Sequence, residues 1–176
     1  MFNDDLLRLV YYRGRSISDL TVRAWPVVTR YGAFSAYSHV AIMRGNHKIE
    51  SKPFVGVQEV MWNEFYNPFH LTCIADVFEI KELTPEQASI GWAFLQEQKG
   101  KKYDFKGIFG YATKMYFQDP NDWFCSELAE RMSEVITMKL TPTYKPHQVD
   151  PQLQAGSKLL VLKASFTTTC AKLGTF

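Results

Sequence analysis

Ser38-His39-Val40-Ala41-Ile42-Met43-Arg44-Gly45-Asn46-His47-Lys48-Ile49-Glu50-Ser51 is the stretch whose reading decides the fold. Ser38 to Arg44 alternates as a β-strand does, Gly45-Asn46 is a two-residue hairpin signal, and His47 to Ser51 returns as the partner strand. With those two residues as the loop, Arg44 faces His47 and, counting back, Ala41 faces Glu50. Side chains alternate along a strand, so His39, Ala41 and Glu50 share one face. His39 and Glu50 are then diagonal neighbours, roughly 7–8 Å apart at the backbone and within reach of long side chains. A slip of one residue would carry Glu50 to the other face.

Working outward, Leu6 to Tyr12 is apolar and β-prone and stops at Gly14, while Gly56 to Trp62 and Leu71 to Ile80 form further strands around an irregular Asn63 to His70. Ser16 or Ser18 can cap a helix through Leu20, Val22 and Trp25 that breaks at Pro26. Thr84-Pro85-Glu86-Gln87 reads as a capping box with proline in the first turn. Ala88, Gly91, Trp92 and Leu95 follow at helical spacing, and Gly100 ends that helix. A weaker helix covers Ile108 to Phe117 before Asp119-Pro120. Cys125, Leu128, Ala129 and Met132 mark another over about Asp122 to Thr137, and Ser157 to Ser165 is a late strand. Strands mixed with helices around an antiparallel centre make the expected class α+β. One domain is expected over residues 5–166, followed by a short tail, 167–176.

Composition narrows the function. The 20 Lys and Arg against 18 Asp and Glu leave a net charge of +2, too balanced for nucleic acid or an anionic membrane as the main partner. No window approaches the run of about 18 apolar residues needed for a membrane span. Met1 to Asp5 shows no basic segment leading into an apolar one, so the expected product is soluble and cytoplasmic as synthesised. Cys73, Cys125 and Cys170 are three cysteines at irregular spacing, neither a disulfide framework nor a zinc signature. Cys73, in an apolar strand, reads as structural and Cys170, in a Thr-rich tail, as incidental. No HxxxH, CxxC, GxGxxG, GxxxxGK[ST] or GxSxG occurs, so neither a metal nor a nucleotide cofactor is expected, and a serine nucleophile at a strand-to-helix elbow is disfavoured.

Cys125 lies in the first turn of its expected helix. Unpaired N–H groups and the helix dipole there favour a thiolate and can hold an oxyanion. By position alone, a cysteine on an apolar stripe is more often a buried core thiol. His39 is the base that changes this reading, with Glu50 beside it to orient the imidazole and stabilise its protonated form. Without Cys125, the pair would read as an exposed ion pair on a solvated hairpin. Tyr103, between the two helices, could line a cleft or serve in packing. His47, His70 and His147 are weaker candidates, at a turn, in a loop and in a Pro-flanked segment.

Four segments resemble the circularly permuted branch of the NlpC-type, papain-like hydrolases, the YiiX-like group in particular. Ser38-His39-Val40-Ala41-Ile42 is similar to the family's histidine strand. Lys48-Ile49-Glu50-Ser51 with Val55-Gly56-Val57 is similar to its following strand pair, Gly100 to Phe105 to its Tyr-bearing segment, and Phe124-Cys125-Ser126-Glu127-Leu128 to its nucleophile motif. Arg15 to Trp25 and Lys145 to Leu162 resemble the flanking helix and the closing strand. Ser51 stands where the family has a small Ala, and Ala41 where it has Gly.

The resemblance implies a permuted papain-like fold, no cofactor, and a Cys125–His39–Glu50 triad with Tyr103 near the nucleophile. The substrates it implies are peptide or isopeptide bonds, peptidoglycan fragments included, which would require delivery to the cell envelope by a route other than a signal peptide. Two other readings stay open: a lipid-directed acyl hydrolase or acyltransferase with the same triad, and a binding domain in which the triad is idle. Oligomeric state is not legible.

Overall fold

The computed structural model describes residues 5–14, 36–61, 72–105 and 122–169. The expected helices at Ser16–Trp25 and Ile108–Phe117, the irregular stretch Asn63–His70, Trp62 and Cys170 lie outside them. The described elements run β1 (Leu7–Gly14), β2 (His39–Arg44), β3 (His47–Lys52), β4 (Gly56–Met61), β5 (Thr72–Ile80), α1 (Pro85–Gln98), α2 (Cys125–Val135), a 3-10 turn (Pro146–Gln148), α3 (Pro151–Ala155) and β6 (Leu160–Thr169). The six strands form one sheet in the order β4-β3-β2-β1-β5-β6, and every neighbouring pair is antiparallel. The architecture is mixed α+β.

The hairpin register is the expected one from the turn as far as Ile42: Arg44 faces His47, Met43 faces Lys48 and Ile42 faces Ile49. The expected Ala41–Glu50 pair does not form, because the strands part beyond that point. Gly45 has φ 55° and Asn46 no positive φ, which matches a II′ turn, where glycine takes the first central position. Alternation then divides the sheet's two faces. Leu7, Leu9, Tyr11, Val40, Ile42, Ile49, Phe78 and Ile80 join the large core, where Ala88 and Leu95 of α1 and Leu128, Ala129 and Met132 of α2 pack on them. Val10, Met43, Ala75 and Val77 form a smaller cluster on the other face.

Helix α1 starts as its sequence predicts: Thr84 Oγ accepts from the Gln87 N–H while the Gln87 side chain accepts from the Thr84 N–H. Helix α2 starts later than expected, at Cys125 rather than near Asp122. The reason lies in what precedes it. Trp123 N–H donates to the Lys102 carbonyl at 3.0 Å, and its own carbonyl accepts from Ser51 Oγ at 2.5 Å. These partners hold residues 122–124 extended, with Phe124 at φ −94°, ψ 164°. The last strand is also displaced, beginning at Leu160 and running to Thr169, where it pairs with Thr72.

Buried polar groups anchor the far side of α2. Glu130 accepts from the Thr141 N–H at 2.9 Å and from Gln154 Nε2 at 3.0 Å, and Ser126 Oγ donates to the Val149 carbonyl at 2.7 Å. A buried carboxylate is costly unless hydrogen-bonded, and these bonds also lock the helix against the segment that follows it.

Candidate active site

The site forms where the central hairpin comes apart. The β2–β3 ladder extends from Arg44–His47 only to Ile42–Ile49, so the ends carrying His39–Ala41 and Glu50–Lys52 are not paired with one another. The start of α2 occupies that opening from both sides. Ser51 of β3 holds the Trp123 carbonyl, and the Val40 backbone N–H of β2 points at the Cys125 sulfur. Alternation assigns His39 and Glu50 to the face opposite Val40 and Ile49, yet Cys125 reaches His39 because the start of α2 enters through the gap.

His39 Nε2 lies 2.8 Å from Glu50 Oε2, and the imidazole also hydrogen-bonds the Cys125 thiol. Cys125 is free and buried, His39 keeps 18 % of its side chain exposed, and Glu50 keeps 1 %. The structure therefore brings three of the sequence-derived candidates into one chain of contacts, with His39 in the middle.

Electrostatics sets the protonation state of this chain. Burial would push the His39 pKa down, but the charge and hydrogen bond of Cys125, followed by those of Glu50, raise it to about 9. Burial likewise works against ionising Cys125, and the His39 charge and hydrogen bond outweigh it, helped by the backbone N–H groups of Val40 and Ser126. The thiol is shifted below its ordinary range. Glu50 resists burial through His39, Lys48 and Lys52 and stays ionised far below the usual carboxylate range. The favoured state is a thiolate–imidazolium–carboxylate array whose protons titrate as a coupled set.

Helix α2 adds to this. Cys125 occupies its first position, Phe124 supplies no side-chain cap, and the first intrahelical bond is Leu128 N–H to the Phe124 carbonyl. The N–H groups ahead of that bond have no intrahelical acceptor, so they favour negative charge on the sulfur or on an oxygen bound beside it.

Tyr103 is the fourth candidate, and its contact with the array is electrostatic. Burial, then the charges of Cys125 and Asp104, hold its hydroxyl well above the ordinary phenol range, so it remains a neutral donor. Its ring packs against Phe105 at 4.9 Å between centroids.

Several residues around the triad went unread in the sequence. Lys52 Nζ lies 2.9 Å and Lys48 Nζ 3.4 Å from Glu50 Oε1, the oxygen turned away from His39, and Gln58 Nε2 donates to it at 3.4 Å. The Tyr12 ring lies 5.7 Å from the His39 ring, and Lys48 Nζ sits over the same Tyr12 ring, 5.4 Å from its centroid. Lys48, Glu50 and Lys52 alternate with Ile49 and Ser51, so the strand period was the signal available for this cluster. Among the described residues, no group of three or more His, Cys, Asp or Glu side chains gathers as a metal site.

Comparison with protein-family models, with curated proteins and with solved structures finds no match. The chemistry of this site rests on its own geometry.

Proposed function

We propose that the chain is a cysteine hydrolase of amide bonds, an amidase or peptidase built on a permuted papain-like plan. In this reading Cys125 is the nucleophile, His39 the acid and base, Glu50 the orienting carboxylate, and Tyr103 a substrate-lining donor. The observation that carries it is His39 held between a buried free thiol and a buried carboxylate 2.8 Å away.

The Cys125 thiolate attacks the acyl carbonyl, and the oxyanion meets N–H groups at the start of α2. The His39 imidazolium gives its proton to the leaving amine as the C–N bond breaks, leaving a thioester on Cys125. Neutral His39 then takes a proton from water, whose oxygen attacks the thioester carbonyl. Collapse of that second tetrahedral species breaks the C–S bond, so the acid leaves and the Cys125 thiolate is restored beside His39, which already holds the proton as imidazolium. Glu50 keeps the imidazole turned toward the sulfur throughout and offsets its positive charge.

The motif resemblance points to peptide or isopeptide substrates, peptidoglycan stem peptides among them. Incubation of the chain and its Cys125→Ala variant with peptidoglycan fragments, a peptide panel and phospholipids, followed by mass spectrometry, tests this. New amine and acid termini from an amide substrate, absent with the variant, are the expected products. The reading fails if Cys125 reacts with iodoacetamide no faster than a model thiol at neutral pH and the variant cleaves as the parent does.

A further inference from the structure

The tip of the β3–β4 hairpin turns its apolar side chains to solvent more fully than any other described part of the chain. Phe54 is 95 % exposed and Val55 60 % exposed. Phe54 also has φ 67°, a left-handed conformation that a bulky side chain rarely takes, so the backbone pays a strain cost to turn this ring outward. The ring is not isolated. Phe105, 49 % exposed, packs on it at 5.2 Å between centroids, and Tyr103 packs on Phe105 in turn.

The two segments are tied together by backbone hydrogen bonds. Val57 N–H donates to the Lys101 carbonyl at 2.8 Å, and Gly100 N–H donates to the Val57 carbonyl at 2.9 Å. Gly56 is needed for this approach, since a Cβ there would overlap the Lys101 carbonyl oxygen. Two lysines lie on the segment that carries Phe105: Lys101, seated over the Trp123 ring at 5.4 Å, and the exposed Lys102, whereas Lys52 is turned to Glu50. Within residues 51–58 and 100–105 the one carboxylate is Asp104, and it is buried. The near-zero net charge of the whole chain thus leaves an apolar apex with Lys101 and Lys102 beside it.

We propose that this tip is an interfacial anchor that seats on an anionic phospholipid bilayer, with Phe54, Val55 and Phe105 entering the headgroup boundary and the lysines meeting lipid phosphates. Apolar burial combined with cations near the surface is how peripheral proteins hold such membranes. The shape agrees, because a protruding ring offers no concavity to enclose a small ligand. Charge argues against a second copy of the chain as occupant: an isologous contact would press Lys101 and Lys102 against their own equivalents. Tyr103 connects this surface to the neighbourhood of Cys125, so a docked protein would work beside the lipid. The anchor does not depend on the hydrolase reading, and it is tested on the Cys125→Ala chain.

Sedimentation with phosphatidylcholine vesicles, with and without phosphatidylglycerol, measures it. The full chain is expected to pellet with the phosphatidylglycerol vesicles and to be released by added salt. Phe54→Gly removes the ring at a φ that glycine adopts without strain, so circular dichroism should show an intact fold while vesicle affinity falls roughly tenfold or more. Lys102→Glu should weaken binding as well. The proposal is overturned if the parent chain stays in the supernatant with anionic vesicles, or if Phe54→Gly pellets as the parent does. Light scattering that finds a concentration-dependent dimer broken by Phe54→Gly would assign the surface to a second copy and likewise overturn it.

Discussion

Two His–Glu pairs sit on neighbouring strands of the same sheet with the same nitrogen–oxygen distance, and they do different things. His47 Nδ1 lies 2.8 Å from Glu59 Oε1, with 54 % and 22 % of the side chains exposed. His39 Nε2 lies 2.8 Å from Glu50 Oε2, with 18 % and 1 % exposed. At the turn end, water screens the pair, and such contacts contribute little. At the open end, burial strengthens every charge interaction, and a third group, Cys125, shares the imidazole. Separation alone therefore says little about reactivity. What distinguishes the pairs is exclusion of water and the Cys125 thiol brought in from another part of the chain.

The sharpest way to break this contrast is to remove one histidine at a time. His39→Ala and Cys125→Ala should each lower kcat/KM on an amide substrate by about 10³-fold or more, because members of such a unit fail together. His47→Ala should leave it within about twofold, as expected for an exposed side chain outside the array. Equal losses from both histidines would dissolve the distinction.

The next largest effect concerns the carboxylates. Glu50→Gln should cost on the order of 10²-fold in kcat, since an amide neither supports the imidazolium nor pairs with Lys48 and Lys52. Glu59→Gln should leave kcat unchanged.

The pH dependence sharpens the comparison further. His39 binds its proton more tightly folded than unfolded, so its stabilising contribution is complete below about pH 6.5 and fades as pH rises through about 9. Cys125 has the opposite sign: its contribution is present above the ordinary thiol range and is lost as pH falls through its lowered value. Between these limits the ion pair persists. Amide hydrolysis should fall as pH climbs through about 9, when the imidazolium loses the proton owed to the leaving amine, whereas alkylation of Cys125 should not fall. In Cys125→Ala, the His39 titration followed by NMR should move to lower pH, because the largest influences raising it are gone.

The smallest expected effect tests how the start of α2 is held in the gap between β2 and β3. Ser51→Ala removes the hydroxyl that holds the Trp123 carbonyl and should cost about 1 kcal/mol in denaturant unfolding. It should also slow Cys125 alkylation severalfold, because the start of α2 would sit less firmly in the gap. Loss of stability with no change in alkylation would detach Ser51 from the site.

Much of this was legible beforehand because it is local. The Gly45-Asn46 turn and the alternation around it set the hairpin register through Ile42 and Ile49, and with it the shared face of His39 and Glu50. Thr84 and Gln87 marked the start of α1 through a capping box that depends only on neighbouring residues. The start of α2 was misread by a few residues for the opposite reason: the partners that keep Trp123 extended are Ser51 and Lys102, both distant in sequence.

The sequence by itself determined the hairpin, its register, the helical stripe behind Cys125 and the kinds of residue available for chemistry, since periodicity and turn geometry act over a few residues. Only the tertiary structure decided that β2 and β3 part beyond Ile42 and Ile49, that the start of α2 fills the opening, and that Lys48 and Lys52 close around Glu50. Those outcomes depend on burial and on hydrogen-bond partners brought together from across the chain, and no pattern of neighbouring residues records them.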